Sequence, residues 1–202
     1  NGQTVCLDRG AVVYGALLLE NVTNVTVTGR GILDSSRIRR KSPDGRYLRT
    51  LSTEDRATLT DVTQFMCVGS ENVRVEGIVL RDSPFWTMVF RAGCRKILID
   101  GVKIVGQWRY NSDGIDLCGC QDVRVRNCFI RSFDDCFVVR DGGRGANGRP
   151  QDSRNIRCEN TMMWCDWGSN VKAQLTGSPR ALIENVSVTK CVFANVDTGG
   201  VI

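Results

Sequence analysis

The feature that most constrains the fold is an internal repeat. Short segments recur that open on Asn or a stand-in, alternate apolar with polar residues, and end near a turn. They read "NVTVTGRGILD" from Asn24, "NVRVEGIVLRD" from Asn72, "KILIDGVKIVG" from Lys96, "DVRVRNCFIRS" from Asp122, "NIRCENTMMWC" from Asn155 and "NVSVTKCVFAN" from Asn185. The start-to-start intervals are 48, 24, 26, 33 and 30 residues, and the first reads as two units of 24 with a loop inside. Alternation with a period of two, rich in Val and Ile, specifies strands, because a helix would need an apolar stripe near 3.6. Val123, Val125 and Cys128 are then expected to face inward while Arg124 and Arg126 face solvent. Val73 and Val75, Ile97 and Ile99, and Val186 and Val188 repeat the inward pattern.

Units of about 22–30 residues, each holding two or three short strands, point to a parallel β-helix in which one unit makes one coil. Coils stack at the inter-strand distance of ~4.8 Å, so equivalent positions form ladders along the axis. Asn at the unit start suits a tight turn with a left-handed backbone, and stacked side chains can bond along the ladder. The sequons at Asn21, Asn24 and Asn185 are read as members of such ladders rather than as glycan sites. Between the segments run further strands, "WTMVFRAG", "SDGIDLCGC", "DDCFVVRD", "SNVKAQLTG" and "TGGVI". The chain is expected to be one parallel β-helix domain over residues 1–202, with loop insertions at about 35–60 and 141–153. Both ends break off mid-pattern, which suggests an internal piece of a longer chain.

Composition narrows the chemistry. The 202 residues contain no histidine, so a Ser-His-Asp triad, a Cys-His dyad and an HExxH zinc site are excluded within them. Acid–base work falls to carboxylates, Lys, Tyr or Cys. The ten cysteines form no CxxC pair, which argues against a zinc ribbon or a thioredoxin-type motif; most are read as small apolar filler, with room for one or two disulfides. Net charge is +5 from 27 basic and 22 acidic residues. The basic cluster Arg37, Arg39, Arg40, Lys41, Arg46 and Arg49 is read as a solvated loop, not a nucleic-acid face. No signal peptide and no run of 18 apolar residues is found. No cofactor, metal, nucleic acid or membrane partner is expected.

Three aspartates carry the chemistry. Asp113 lies in "NSDGIDLCG", and Asp134 and Asp135 lie in "SFDDCFVVR". Asp113 and Asp135 are 22 residues apart, close to one coil, so they should share a ladder, with Asp134 reaching the same space from the bend before the strand. Three carboxylates so close cannot all ionise freely, and that separates a proton donor from a base. Glycoside hydrolysis needs this division of labour. An Asp-Asp turn in solvent is the competing reading.

"NSDGID" from Asn111 and "DDC" from Asp134 resemble two signature motifs of glycoside hydrolase family 28, the polygalacturonase group. "VVYGALLLENVTNVTVTGRGILD" also resembles the stretch that opens that family's core. The resemblance implies a right-handed, single-stranded parallel β-helix and inverting hydrolysis of a pectin-like polysaccharide. It implies Asp134 as general acid and Asp113 with Asp135 as the residues that activate water. It further implies a monomer that is secreted or periplasmic, with a polysaccharide or oligosaccharide as its partner. Two departures stand out. The family's Gly-His-Gly motif is replaced by "WCDWGSNVKAQ", where Ser169 is the counterpart of the histidine. The Arg-Ile-Lys motif would fall after "TGGV", where the sequence stops. The related glycoside hydrolase family 49, dextranases and isopullulanases, shares the coil and the aspartate triad and needs no anionic substrate.

Weaker candidates for substrate binding are Asn111, Lys172, Trp167 and Trp108. Lys172 could meet a sugar hydroxyl or carboxylate from the coil after Asp135, or stay a solvated charge. Asn111 could touch substrate or serve only the turn. The faces of Trp108, Trp164 and Trp167 suit sugar rings, though core or lid packing would use them equally. Asp116 should face away from Asp113 by alternation, unless the strand bends. A non-catalytic carbohydrate-binding β-helix and a lyase or epimerase on the same scaffold are the competing functions; a lyase would want calcium ligands and a Lys or Arg base.

Overall fold

A computed structural model describes residues 1–39, 62–142, 151–175 and 181–195. Most of both expected insertions, the basic cluster from Arg40 onward, and "TGGVI" lie outside the described residues. Those described form twenty strands in three parallel sheets.

Each full coil contributes one strand to each sheet. Sheet 1 runs Thr4–Leu7, Thr23–Gly29, Glu71–Glu76, Arg95–Asp100, Gln121–Arg126, Ser153–Glu159 and Ile183–Thr189. Sheet 2 runs Val12–Tyr14, Ile32–Asp34, Val79–Arg81, Lys103–Val105, Phe129–Ser132, Met162–Cys165 and Val192–Asn195. Sheet 3 runs Leu17–Glu20, Phe65–Val68, Met88–Arg91, Ile115–Cys118, Phe137–Arg140 and Val171–Gln174. The result is a right-handed parallel β-helix, the hand that parallel crossovers take.

The registers follow the repeat. Val73 pairs with Ile97, Ile97 with Val123, Val123 with Ile156 and Ile156 with Val186, at the intervals read from the sequence. The first interval needs correction. Val25 pairs directly with Val73, so 48 residues make one coil and not two. The extra length falls between sheets 2 and 3, after Asp34 and before Phe65. Extra chain at that point is compatible with intact stacking, because loop closure grows costlier only slowly with length.

The inward faces fill a continuous core. Val27, Val75, Ile99, Val125 and Cys158 form one column of buried residues, and Phe65, Met88, Ile115 and Phe137 another. Each such side chain stabilises the coil by about 1.5–3 kcal/mol relative to exposure. Seven of the ten cysteines are buried and all ten are free, so disulfides do not hold the coils.

Every unit-opening residue, Asn24, Asn72, Lys96, Asp122, Asn155 and Asn185, has φ between 53° and 58°. The left-handed turn costs most residues about 1–2 kcal/mol, and Asn least among those with a side chain. The Asn72 amide donates to Asn24 Oδ1 (2.6 Å), Asn155 to Asp122 (2.9 Å) and Asn185 to Asn155 (2.7 Å).

Candidate active site

The site lies where the chain turns from sheet 2 into sheet 3. Its spacing is set by main-chain bonds: Thr87 N–H donates to Asp113 O (3.0 Å), Gly114 N–H to Asp135 O (2.8 Å) and Cys136 N–H to Ser169 O (2.8 Å). These continue the register of Ile115 with Phe137 and of Phe137 with Val171, so Asp113, Asp135 and Ser169 occupy one position on three successive coils. One carboxylate oxygen from each of Asp113, Asp134 and Asp135 lies within 4.8 Å of the others.

Each carboxylate has different neighbours. Asp134 Oδ1 accepts the Asp135 N–H at 2.9 Å, and its Oδ2 accepts the Asn111 amide at 3.4 Å. Asp135 Oδ1 accepts the Ser169 N–H at 2.9 Å, and its Oδ2 is 2.8 Å from Lys172 Nζ. Asp113 Oδ2 is 3.6 Å from the Arg140 guanidinium, while its buried Oδ1 has no hydrogen-bond partner. Burial, together with the charges of Asp116, Asp134 and Asp135, pushes the Asp113 carboxyl well above the ordinary range; Arg140 opposes this. Burial and the neighbouring Asp135 charge push Asp134 upward too. The protons held near neutral pH therefore belong to the cluster.

Two more residues join the site: Asp116, whose facing the sequence left open, and Arg140, which the sequence did not single out. Asp116 is fully buried, and its Oδ1 is 3.3 Å from Arg140 Nε. Its side chain leaves the same face as the triad because Asp113 lies before the strand, in a bend that breaks the alternation. Burial drives the Asp116 carboxyl up to about 7 despite Arg140. Arg140 ends the strand Phe137–Arg140, pairs in register with Cys118, and stacks 4.9 Å from the Trp86 ring centroid. Extending the outward alternation from Val138 to residue 140 would have found it.

Trp167 packs against Phe133, with centroids 6.1 Å apart, and against Tyr110 at 5.4 Å; it is 40% exposed, one residue before the glycine that touches Asp134. Trp108 is not drawn into this group. It lines a separate hollow with Gly106, Gln107, Arg131 and Asp166. Trp164 also faces that side, its indole N–H bonded to Asp166 (2.8 Å). Among the described residues, the triad is the one carboxylate group tight enough to share a cation. Protein cations, Lys172 and Arg140, already approach two of its members.

The sequence model of glycosyl hydrolases family 28 matches residues 12–202. The chain belongs to that family. A "Probable polygalacturonase" of Vitis vinifera is 36% identical over 74 residues, 36% of this chain and 15% of that protein. A "Dextranase" of Arthrobacter globiformis is 24% identical over 196 residues, 94% of this chain and 28% of that protein. The matched stretch thus spans less than a third of either relative. The family 28 exopolygalacturonase structure of Yersinia enterocolitica shares the fold, with a TM-score of 0.66 and 15% identity over 95% of this chain and 46% of that one. Family 28 membership makes the cluster at Asp113, Asp134 and Asp135 the first place to look for hydrolytic chemistry.

Proposed function

We propose that the chain carries the hydrolytic site of an inverting O-glycosidase acting on a pectin-type galacturonan. The observation that carries this reading is the meeting of three buried carboxylates with unequal partners. Asp134 is bonded only to neutral donors, an amide and a backbone N–H, whereas Asp113 and Asp135 each face a cation, Arg140 and Lys172. It is the group suited to protonate the leaving oxygen. Asp113 and Asp135 hold the attacking water between them. Two hydrogen bonds of ~2.8 Å meeting at a water molecule span ~4.6 Å, which suits oxygens within 4.8 Å of one another. Trp167 and Tyr110 supply ring faces beside the acid for stacking on sugar. A polymer of this kind is too large to enter a cell, so the work falls in an extracellular or periplasmic space.

Carboxyl groups this close also match the spacing of retaining enzymes, which pass through a covalent intermediate. Proton NMR of the first product separates the two: net inversion at the anomeric carbon supports the reading, and retention overturns it. Asp134→Asn in the full-length protein should abolish reducing-end release while substrate binding survives. Retained activity refutes the acid assignment. A second reading, a neutral glucan as substrate, is favoured by the dextranase likeness along nearly the whole chain. Release from dextran but not from polygalacturonate would select it.

A further inference from the structure

The adjacent aspartates Asp134 and Asp135 are chemically identical and share one bend, yet the proposed reaction asks opposite things of them. We infer that Lys172 breaks their symmetry as a positioning residue, clamping Asp135 as the ionised, oriented member of the pair and leaving Asp134 free to carry the proton. The inference rests on the hydrolytic reading above and deepens it.

The geometry is that of a two-point clamp supplied by one coil. Ser169 N–H and Lys172 Nζ come from the same turn and strand, and each takes a different oxygen of Asp135, at 2.9 and 2.8 Å. With both oxygens engaged, the carboxylate plane is fixed. Asp135 is nearly buried, while the Lys172 side chain is 40% exposed. Lys172 stands in register with Val138, one coil on from the Asp135 strand. Val138 is short, apolar and buried, so nothing at that position competes for the ammonium. Asp134 receives no such partner: its oxygens meet Asn111 and the Asp135 backbone.

The other ionisable groups facing Asp135 are Asp134 beside it, Asp113 and Asp116 from the preceding coil, Arg140 on the strand that follows it, and the Cys165 thiol. Arg140 is committed to Asp113 and Asp116, which leaves Lys172 as the cation in contact with Asp135. The chain has no histidine to take that place. Asp135 in turn pushes the Lys172 ammonium above the ordinary lysine range.

The test uses the full-length protein with Lys172→Met and Lys172→Arg. In Lys172→Met the acidic limb of the kcat/KM profile should move up by about one pH unit, the lower end of the effect of a close opposite charge, because this lysine is partly solvated. At the foot of that limb the loss is about tenfold in kcat, with KM within about twofold of the original. Lys172→Arg should restore the limb. An unmoved limb, or a raised KM with kcat kept, overturns the inference, the latter pointing to direct substrate contact. A second measurement needs no activity. NMR titration of the Lys172 side chain should show its pKa falling in Asp135→Asn, and an unchanged value breaks the pair. If the unmutated protein hydrolyses no glycan, the hydrolytic reading fails, while this titration still decides whether the clamp exists.

Discussion

Gly168→Ala is the most searching single change for the proposed site, because it moves the acid without touching a charged group. A Cβ on Gly168 would lie 2.6 Å from Asp134 Oδ1, 2.7 Å from Asp135 N and 2.9 Å from Asp134 C, where ordinary contact begins at 3.4 Å. The side-chain oxygen could swing aside, but the two backbone atoms cannot. The bend carrying both aspartates must therefore retreat by roughly half an ångström or more, the tolerance beyond which a catalytic constellation loosens. A displacement approaching 1 Å costs about 100-fold, so a 10- to 100-fold fall in kcat/KM is expected. Overpacking should cost about 1–3 kcal/mol, and each kcal/mol lowers Tm by about 2–4 °C in a domain of this size. The assay is initial rates of reducing-end release, measured well below the Tm of both proteins. Rates within twofold of the original, at unchanged Tm, would refute the claim that close backbone packing at Gly168 places Asp134.

Other perturbations read other parts of the molecule. Asp116 holds its proton up to about pH 7 when folded, whereas the unfolded carboxyl loses it near its ordinary value of 3.8. Its contribution should be fullest below that value and decline as pH rises through about 7, at up to about 1.4 kcal/mol per unit. Asp116→Asn should therefore flatten the Tm-versus-pH curve between pH 4 and pH 7; an unchanged slope counts against the burial account. Asn155→Ala removes both a left-handed turn residue and two ladder bonds, to Asp122 and from Asn185. A loss of about 2 kcal/mol is expected in chemical denaturation, and less than 0.5 kcal/mol would show the ladder to be ornamental. Ten thiols should react with a chromogenic disulfide reagent in denaturant without prior reduction, with exposed Cys6 leading in the native state; fewer than ten would reveal a bridge.

Much of the fold was legible because a β-helix writes its period into the chain. The alternation around Val73, Ile97, Val123 and Ile156 named both the inward face and the coil length, and the 22-residue interval brought Asp113 opposite Asp135. The long first interval misled because a loop inserted between strands looks the same in sequence as an extra coil. Only the pairing of Val25 with Val73 tells them apart. Asp116 was ambiguous because alternation holds within a strand and fails at the bend before it. Arg140 stood on the outward alternation from Val138 and was passed over, whereas its meeting with Trp86 depends on how two side chains lean across coils, which no period encodes. Trp108 was drawn toward the aspartates by nearness along the chain, yet the turn points it to another hollow.

The hydrogen bonds from Gly114 to Asp135 and from Cys136 to Ser169 have a consequence for how such a protein can change over time. They tie the interval between Asp113, Asp135 and Ser169 to the rungs of a sheet, leaving little for side-chain packing to adjust. Mutation is then free to swap which residue stands on a rung but can hardly alter the gap between rungs. A lineage built this way explores new substrates by redecorating a ruler whose gradations stay put.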